Sequence, residues 1–485
     1  MVVAIVAGIV IIITLGVALY ASHGHSRSNI SEFLVGGRSF PAWLVFFLAV
    51  GEVYSIGTLL GFPGGIYARG ASYGVWFIGY ILLAYVFGYF WGPLIWRAGK
   101  KYDAMTPPDI LRHHYDSPAL EIVACVALLI ALVPWGMYQF IGLQAVLQLM
   151  GLNLSPVQTM IVSGILAFIY VAVSGMRSPA FISLIKDTLM VFAVMAVGVG
   201  ALFAVGKTGV QADAMHPQEA LSAAMTTIRG SSMTFTISTV LFQAMVFYLA
   251  LGISYLLPAK SEAAVKRATV WMPLYMLIYP LLTFVSFFAL RHYPAVKNPN
   301  TIFMVVARAE LPDWALGLVA SGALLSGLLV LAVTALSIGA LVTRNLLPHD
   351  LPSNVQRRWS TLFVAIFLVV AALLNLYAAQ LMLIILTIFY GLAAQIAPSM
   401  IAVLFVRRLP AAAITAGMVV GVVLSVVLYL HGPQSIGGLN SGVISTGANV
   451  LILLIWRLVA PGAEREPIVL YRPSDRGRTT TTVRS

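Results

Sequence analysis

Charge is what this chain has least of. Only 9% of its 485 residues are Asp, Glu, Lys or Arg, against about 25% in an ordinary soluble domain. The remainder is 60% apolar, with a mean hydropathy of +0.96. The single cysteine, Cys125, excludes an intrachain disulfide framework. No low-complexity linker divides the chain into soluble domains. No Gly-rich phosphate loop ending in Lys-Ser/Thr is present, which argues against ATP-driven work by this chain. No His/Cys/Asp/Glu group has metal-ligand spacing, His113 and His114 lying in a basic loop, and no nucleophile, base and orienter recur together, so an enzyme is not expected. What remains is a series of long apolar runs, the pattern of an all-α polytopic membrane protein.

A bilayer core of about 30 Å needs about 20 helical residues. Apolar stretches long enough to cross fall at 2–20, 42–66, 74–96, 118–149, 157–174, 180–205, 234–256, 268–290, 314–342, 360–378, 381–405, 410–430 and 444–460, thirteen in all. The break at 378–381 is tight enough that the tenth and eleventh runs also read as one bent helix. Residues 2–20 end in small residues, as a signal peptide does, but no basic residue precedes the run, and a first span makes the charge alternation of every later loop work.

Of the 28 Lys and Arg residues, 22 fall in one set of loops and the basic tail, and six in the other set. The positive-inside bias then places the N-terminus outside and the C-terminus in the cytoplasm of a plasma-membrane protein. The net charge of +12 becomes a topogenic signal and an attraction to anionic lipid, not a nucleic-acid footprint. The Thr-rich basic stretch 461–485 reads as a disordered cytoplasmic tail.

Ionisable groups within spans need a reason to be there. Glu52 lies mid-span in AVGEVYSIGTLLGFPGGIYARG (49–70), interrupted by Gly51, Gly57, Gly61, Gly64, Gly65 and Pro63. Such breaks line a cavity or are satisfied by neighbours, so the segment reads as a discontinuous helix at a binding site. The plainer alternative is small-residue helix packing with a structural Glu52. Lys186 and Asp187 form a second pair, Lys186 about 10 Å in from the boundary near residue 179. It either snorkels to the interface or serves a function inside the bundle. Ser326, Val330, Thr334 and Ser337 share one helix face, which offers oxygen ligands or merely back-bonds to its own helix. Gln243 is the one amide of an apolar run, and Gln395 with Pro398 marks a kink.

The stretches FLVGGRSFPAW (33–43), GEVYSIGTLLGFPGGIYARG (51–70), TPPDILRHHY (106–115), GMRSPAFISLIKDTL (175–189), AKSEAAVKRATVWMPLY (259–275), TRNLL (343–347) and QIAPSMIAVLFVRRLPAAAITAGMVVG (395–421), in this order, resemble the sodium:solute symporter family, and within it monocarboxylate permeases. The resemblance implies a LeuT-type bundle with five-helix inverted repeats at 42–205 and 206–405, preceded by a first span and loop (1–41) and followed by two peripheral spans (406–460). It implies a monomer that imports a small organic solute with a cation and needs no cofactor. The solute is a monocarboxylate such as lactate, pyruvate or acetate, with amino acids, pantothenate and other solutes as alternatives; a membrane sensor is the alternative of another class, although only about 25 residues follow the last span and none resembles a kinase. Substrate is expected between spans 2 and 7, lined by Gly51, Tyr54, Ser55 and Gln243, and the coupling ion near Glu52, Lys186, Asp187, Ser326 and Thr334.

Two positions depart from the family pattern. The Ser-Thr pair that helps bind sodium aligns with Leu329 and Val330, leaving Gly51, Tyr54 and Ser326 as possible ligands. An Asp three residues before a Gln in span 6 is replaced by Ser183 and Lys186. Together they suggest that the Lys186 ammonium occupies the sodium region and that the coupling ion is a proton carried by Lys186 or Glu52, with sodium as the other possibility.

Overall fold

A computed structural model of the protein describes residues 1–22, 30–152, 154–207, 225, 231–348, 350–377 and 382–471. The chain is a helical bundle in which one helix, α9 (Asp313–Asn345), is buried almost along its whole length. Its surface is mostly apolar, as suits a central helix, and its few hydroxyls back-bond within the helix. Around it pack α1 (Val2–Ser22), α4 (Pro118–Leu149), α6 (Arg177–Lys207) and α10 (Ser353–Tyr377). α3 (Ala71–Tyr102) lies against α7 (Ser231–Val246 and Ile253–Leu256), and α12 (Ala411–His431) pairs with α13 (Ser441–Val459) at the periphery.

Among the described residues eleven helices are long and apolar enough to cross a membrane, or twelve if one bent pair counts as a span. The bent pair is α2, whose halves Ala42–Val53 and Gly57–Arg69 meet at 46°. α5 (Pro156–Ser174), the fifth expected span, is a shorter apolar helix and does not meet that length. The expected count of thirteen is therefore not reached by length and composition alone. α8 (Glu262–Trp271 and Tyr279–His292) is joined through a 3-10 stretch, and α11 (Met382–Ala393 and Ala397–Phe405) changes to a 3-10 turn at Ala394–Ile396, where Gln395 and Pro398 suggested a kink. The 378–381 junction lies outside the described residues.

The loop between α3 and α4 carries a short helix, Pro107–Tyr115, that begins with a capping box: Thr106 accepts from the Asp109 N–H and Asp109 reaches back to the Thr106 N–H. The Asn345 amide donates to Asp109 at 2.6 Å and to Glu121 at 3.0 Å, while the Thr106 hydroxyl donates to Asn345 at 2.8 Å. Arg112 pairs with Glu121. This buried network ties the end of α9 to the start of α4. Asn345→Leu removes the donor shared by two buried carboxylates, and the expected loss is about 3 kcal/mol or more, read as a lower unfolding midpoint of the purified protein.

The stretch expected to be a free tail from residue 461 packs against the bundle as far as Tyr471. Arg465 donates to the carbonyls of His114 and Tyr115 at 2.8 and 2.9 Å, and Ile468 is fully buried. Ile468 and the Arg465 guanidinium dock the strap together with ion pairs from Arg407 and Arg408 to Glu464 and from Lys101 to Glu466, contacts between distant segments that composition could not reveal. Burial first, then the charges of Arg465 and Lys101, hold the His114 imidazole down from 6.5 to about 4. Because the folded value is the lower one, the unfolded chain takes up this proton first. Stability is complete above pH 6.5 and is expected to fall as pH drops from 6.5 towards 4. Melting curves across that window should show a smaller fall in His114→Gln than in the unaltered protein.

Candidate functional site

The second span breaks where its sequence is richest in glycine. The helix Ala42–Val53 ends at Tyr54 (φ −90°, ψ 74°), and a π turn, Gly57–Gly61, leads into Phe62–Arg69. The Ser55 hydroxyl accepts from the Gly57 N–H at 3.1 Å and so caps the second half. α7 is irregular in the matching place, with a π turn at Phe247–Leu251 followed by Gly252. Two interrupted helices thus face each other in the bundle.

The break frees backbone carbonyls, and a lysine takes them. Lys186, fully buried, donates from Nζ to the Tyr54 carbonyl at 2.7 Å and the Gly51 carbonyl at 3.1 Å. Its third partner is the Asp187 carboxylate, 2.5 Å away. Full burial excludes snorkelling to the interface. Gly51 permits the approach: a Cβ there would lie 2.7 Å from Cβ of Ser183, so no larger residue lets α2 sit this close to α6. Tyr275 donates to the Asp187 backbone carbonyl at 3.0 Å, and its ring lies 4.5 Å from that of Tyr54, whose hydroxyl bonds to Tyr85 at 2.5 Å. The ammonium is well supplied with acceptors, whereas the Asp187 carboxylate has, among the described residues, no hydrogen bond beyond its ion pair with Lys186, so its burial depends on that one counter-charge.

Glu52 faces elsewhere. Its two oxygens share the Ser254 hydroxyl of α7, at 2.8 and 2.7 Å, which bridges the two interrupted spans. Both line a cavity of about 130 Å³ between α2, α3, α4, α7, α9 and α11. Its wall includes Tyr80, Trp135, Tyr255, Thr334, Ser337 and Tyr390, and it extends to Met105, Thr106 and Pro107 in the α3–α4 loop. On the opposite side of the break the described residues pack together. Gly64 packs on the carbonyl of Pro299, the Tyr67 hydroxyl donates to the Tyr293 carbonyl at 2.7 Å, and Asn300 accepts from the Met382 N–H at 3.3 Å.

The residues chosen from sequence therefore divide. Gly51, Tyr54, Lys186 and Asp187 meet at one centre, and Glu52 and Thr334 line the cavity beside it. Ser326 donates to its own helix at Gly322, 2.7 Å away, and does not line the cavity; Thr334 and Ser337 back-bond in the same way, to Val330 and Val333. Gln243 is held by the Trp76 indole N–H at 2.7 Å and also lies off the cavity wall. Sequence reasoning missed Ser254, Tyr80 and Tyr390. Ser254 follows the Gly252 break of α7, and pairing the two interrupted helices by their repeat position is the signal that would have found it. Among the described residues no group of three or more His, Cys, Asp or Glu side chains gathers to hold a metal.

The family model of the sodium:solute symporter family matches residues 33–421, and the chain belongs to that family. It is a multi-pass membrane transporter, a cation-coupled symporter and not an enzyme. It is 26% identical over 481 residues to the uncharacterized symporter YhjB of Bacillus subtilis (strain 168), covering 94% of this chain and 96% of the relative. A monocarboxylate transport permease protein of Rhizobium johnstonii is 24% identical over 321 residues, 66% of this chain and 65% of the relative. In fold the chain is similar to a substrate-bound, outward-open Na+-coupled sialic acid symporter, with a TM-score of 0.78 at 16% identity over 96% of this chain and 99% of that one. The LeuT-type fold is thereby established.

Proposed function

We propose that this chain imports a small monocarboxylate together with a proton, with the Lys186 ammonium standing where a sodium ion would otherwise sit. The observation that carries this reading is the ligand set around Nζ: two carbonyls from a broken helix, Gly51 and Tyr54, and one carboxylate, Asp187. Backbone carbonyls and a carboxylate are the hard oxygens an alkali cation takes, and a tethered ammonium satisfies them without one. Loss of side-chain oxygen at Leu329 and Val330 fits the same account. The monocarboxylate reading draws on the Rhizobium johnstonii relative.

In this reading the N-terminus is outside and the C-terminus cytoplasmic, so the cavity between Glu52 and the α3–α4 loop opens towards the cytoplasm. The segments 42–205 and 206–405 act as inverted repeats of a monomer, rocking about the Lys186 centre. The test is uptake of labelled lactate into proteoliposomes under sodium and pH gradients imposed separately, with acetate, pyruvate, proline and pantothenate as competitors. Accumulation should follow an inward proton gradient. Sodium-driven accumulation that persists in both Lys186→Ala and Glu52→Gln would sink the proton account.

A further inference from the structure

Beyond α13 the strap 461–471 runs over the end of the bundle to which the cavity extends at Met105, Thr106 and Pro107. Its backbone joins the turn after α11. The Arg465 N–H donates to the Arg407 carbonyl at 2.8 Å, Arg408 and Glu464 form an antiparallel bridge, and a Cβ on Gly462 would lie 2.7 Å from the Pro410 nitrogen. Its side chains reach a different part of the chain. Arg465 holds the His114 and Tyr115 carbonyls of the loop helix, and Lys101 at the end of α3 pairs with Glu466 at 3.4 Å and lies 4.8 Å from the centre of the Tyr471 ring. α3 and its loop lie in the segment 42–205 and α11 in 206–405, so the strap ties together the two halves whose rocking is proposed to drive transport.

These ties are of a kind that opens. Exposed ion pairs are individually weak and screened by salt, and the pairs made by Arg407, Arg408 and Lys101 all end on carboxylates, Glu464 and Glu466, that are more than half exposed. Within the strap Pro467 and Ile468 are buried, while Val469 and Leu470 stay exposed. A segment with so little buried apolar surface separates without unfolding the helices beneath it. Both of its anchor points adjoin the cavity wall: Met105, Thr106 and Pro107 lead into the loop helix, and Phe389 and Tyr390 belong to α11. Closing the cavity at this end changes the separation between the loop helix and the end of α11, and a strap fixed to both resists that change.

We infer that the strap 461–471 is a latch: engaged, it favours the conformation that holds the cavity beside the α3–α4 loop, and its release lets that end close. Its bearing on uptake rests on the reading of the cavity as part of the transport path.

The test is the rate at which a membrane-impermeant maleimide alkylates Ser337→Cys, on the cavity wall, in the full chain in nanodiscs, with the native cysteine replaced as Cys125→Ser. Arg465→Ala, which drops the loop helix, and Glu464→Arg, which sets three cations against one another, should each slow alkylation about threefold or more. The swap Glu464→Arg/Arg407→Glu/Arg408→Glu rebuilds the pairs with reversed sign and should restore the rate. Unchanged or faster alkylation in Arg465→Ala and Glu464→Arg would overturn the inference. So would a lower melting temperature as their sole effect, because packing that merely adds stability acts on both conformations alike. Uptake into proteoliposomes separates the latch from the transport path, since alkylated Ser337→Cys should no longer transport. Slower alkylation in the latch variants, with uptake untouched by the modified cysteine, would uphold the latch and remove the transport-path reading instead.

Discussion

Lys186→Ala is expected to abolish proton-driven uptake and to lower stability by about 3–5 kcal/mol, the range for removing one partner of a buried pair. The variant leaves the Asp187 carboxylate buried without its counter-charge and strips the Gly51 and Tyr54 carbonyls of their donor. Thermal unfolding of the purified protein reads the stability, and proteoliposome uptake reads the function. The two separate in the double variant Lys186→Ala/Asp187→Asn. Removing both charges should restore much of the melting temperature, because no lone ion remains, while uptake stays absent. A single variant that melts normally and still accumulates solute would mean that the ion pair is incidental.

Gly64→Ala is expected to disfavour the closed arrangement opposite the cavity. A Cβ at this position would lie 2.5 Å from the Pro299 carbonyl oxygen, 2.9 Å from its carbon and 3.2 Å from the Asn300 nitrogen. These are backbone atoms, and they are held: Asn298 caps the turn through the Asn300 N–H at 3.1 Å, and Asn300 is tied to Met382. Overpacking of this kind costs about 1–3 kcal/mol, which changes the closed-to-open ratio by roughly fivefold to a hundredfold at 1.4 kcal/mol per decade. Spin labels at the exposed positions 69 and 297 report it, since Arg69 ends α2 and Lys297 sits on the closing segment. The distance distribution should lengthen and broaden in Gly64→Ala, and turnover should fall while solute binding persists. An unchanged narrow distribution with normal turnover would show that the closure tolerates the methyl group.

The broken second span was legible because glycine, proline and a carboxylate interrupt an apolar run, and each acts locally. The central place of α9 did not follow from its sequence, where only a hydroxyl face stood out; its burial along nearly the whole length is visible in the fold alone. The split between Lys186 and Glu52 was not legible. Neighbours within a few residues along α2 and α6 suggested one shared centre, but helix geometry sends Lys186 to carbonyls of the break and Glu52 to Ser254, 202 residues away in sequence. The hydroxyl face of α9 shows the converse limit. Its spacing was read correctly, yet Ser326 satisfies itself on Gly322 within one turn, and no pattern of side chains distinguishes a ligand from a back-bonded hydroxyl. Gln243 shows a third limit, because the Trp76 indole that holds its Oε1 comes from another span, while its Nε2 has no hydrogen-bond partner among the described residues.

The central claim is that an ammonium replaces an alkali cation at the break of α2. Equilibrium binding of radioactive sodium to the purified chain, unaltered and as Lys186→Ala, tests it most directly. The unaltered protein should bind no sodium at this centre. The variant, which keeps the Gly51 and Tyr54 carbonyls and the Asp187 carboxylate but lacks the ammonium, should bind it and be stabilised by it. Sodium bound one to one by the unaltered protein and lost in Lys186→Ala would contradict the account.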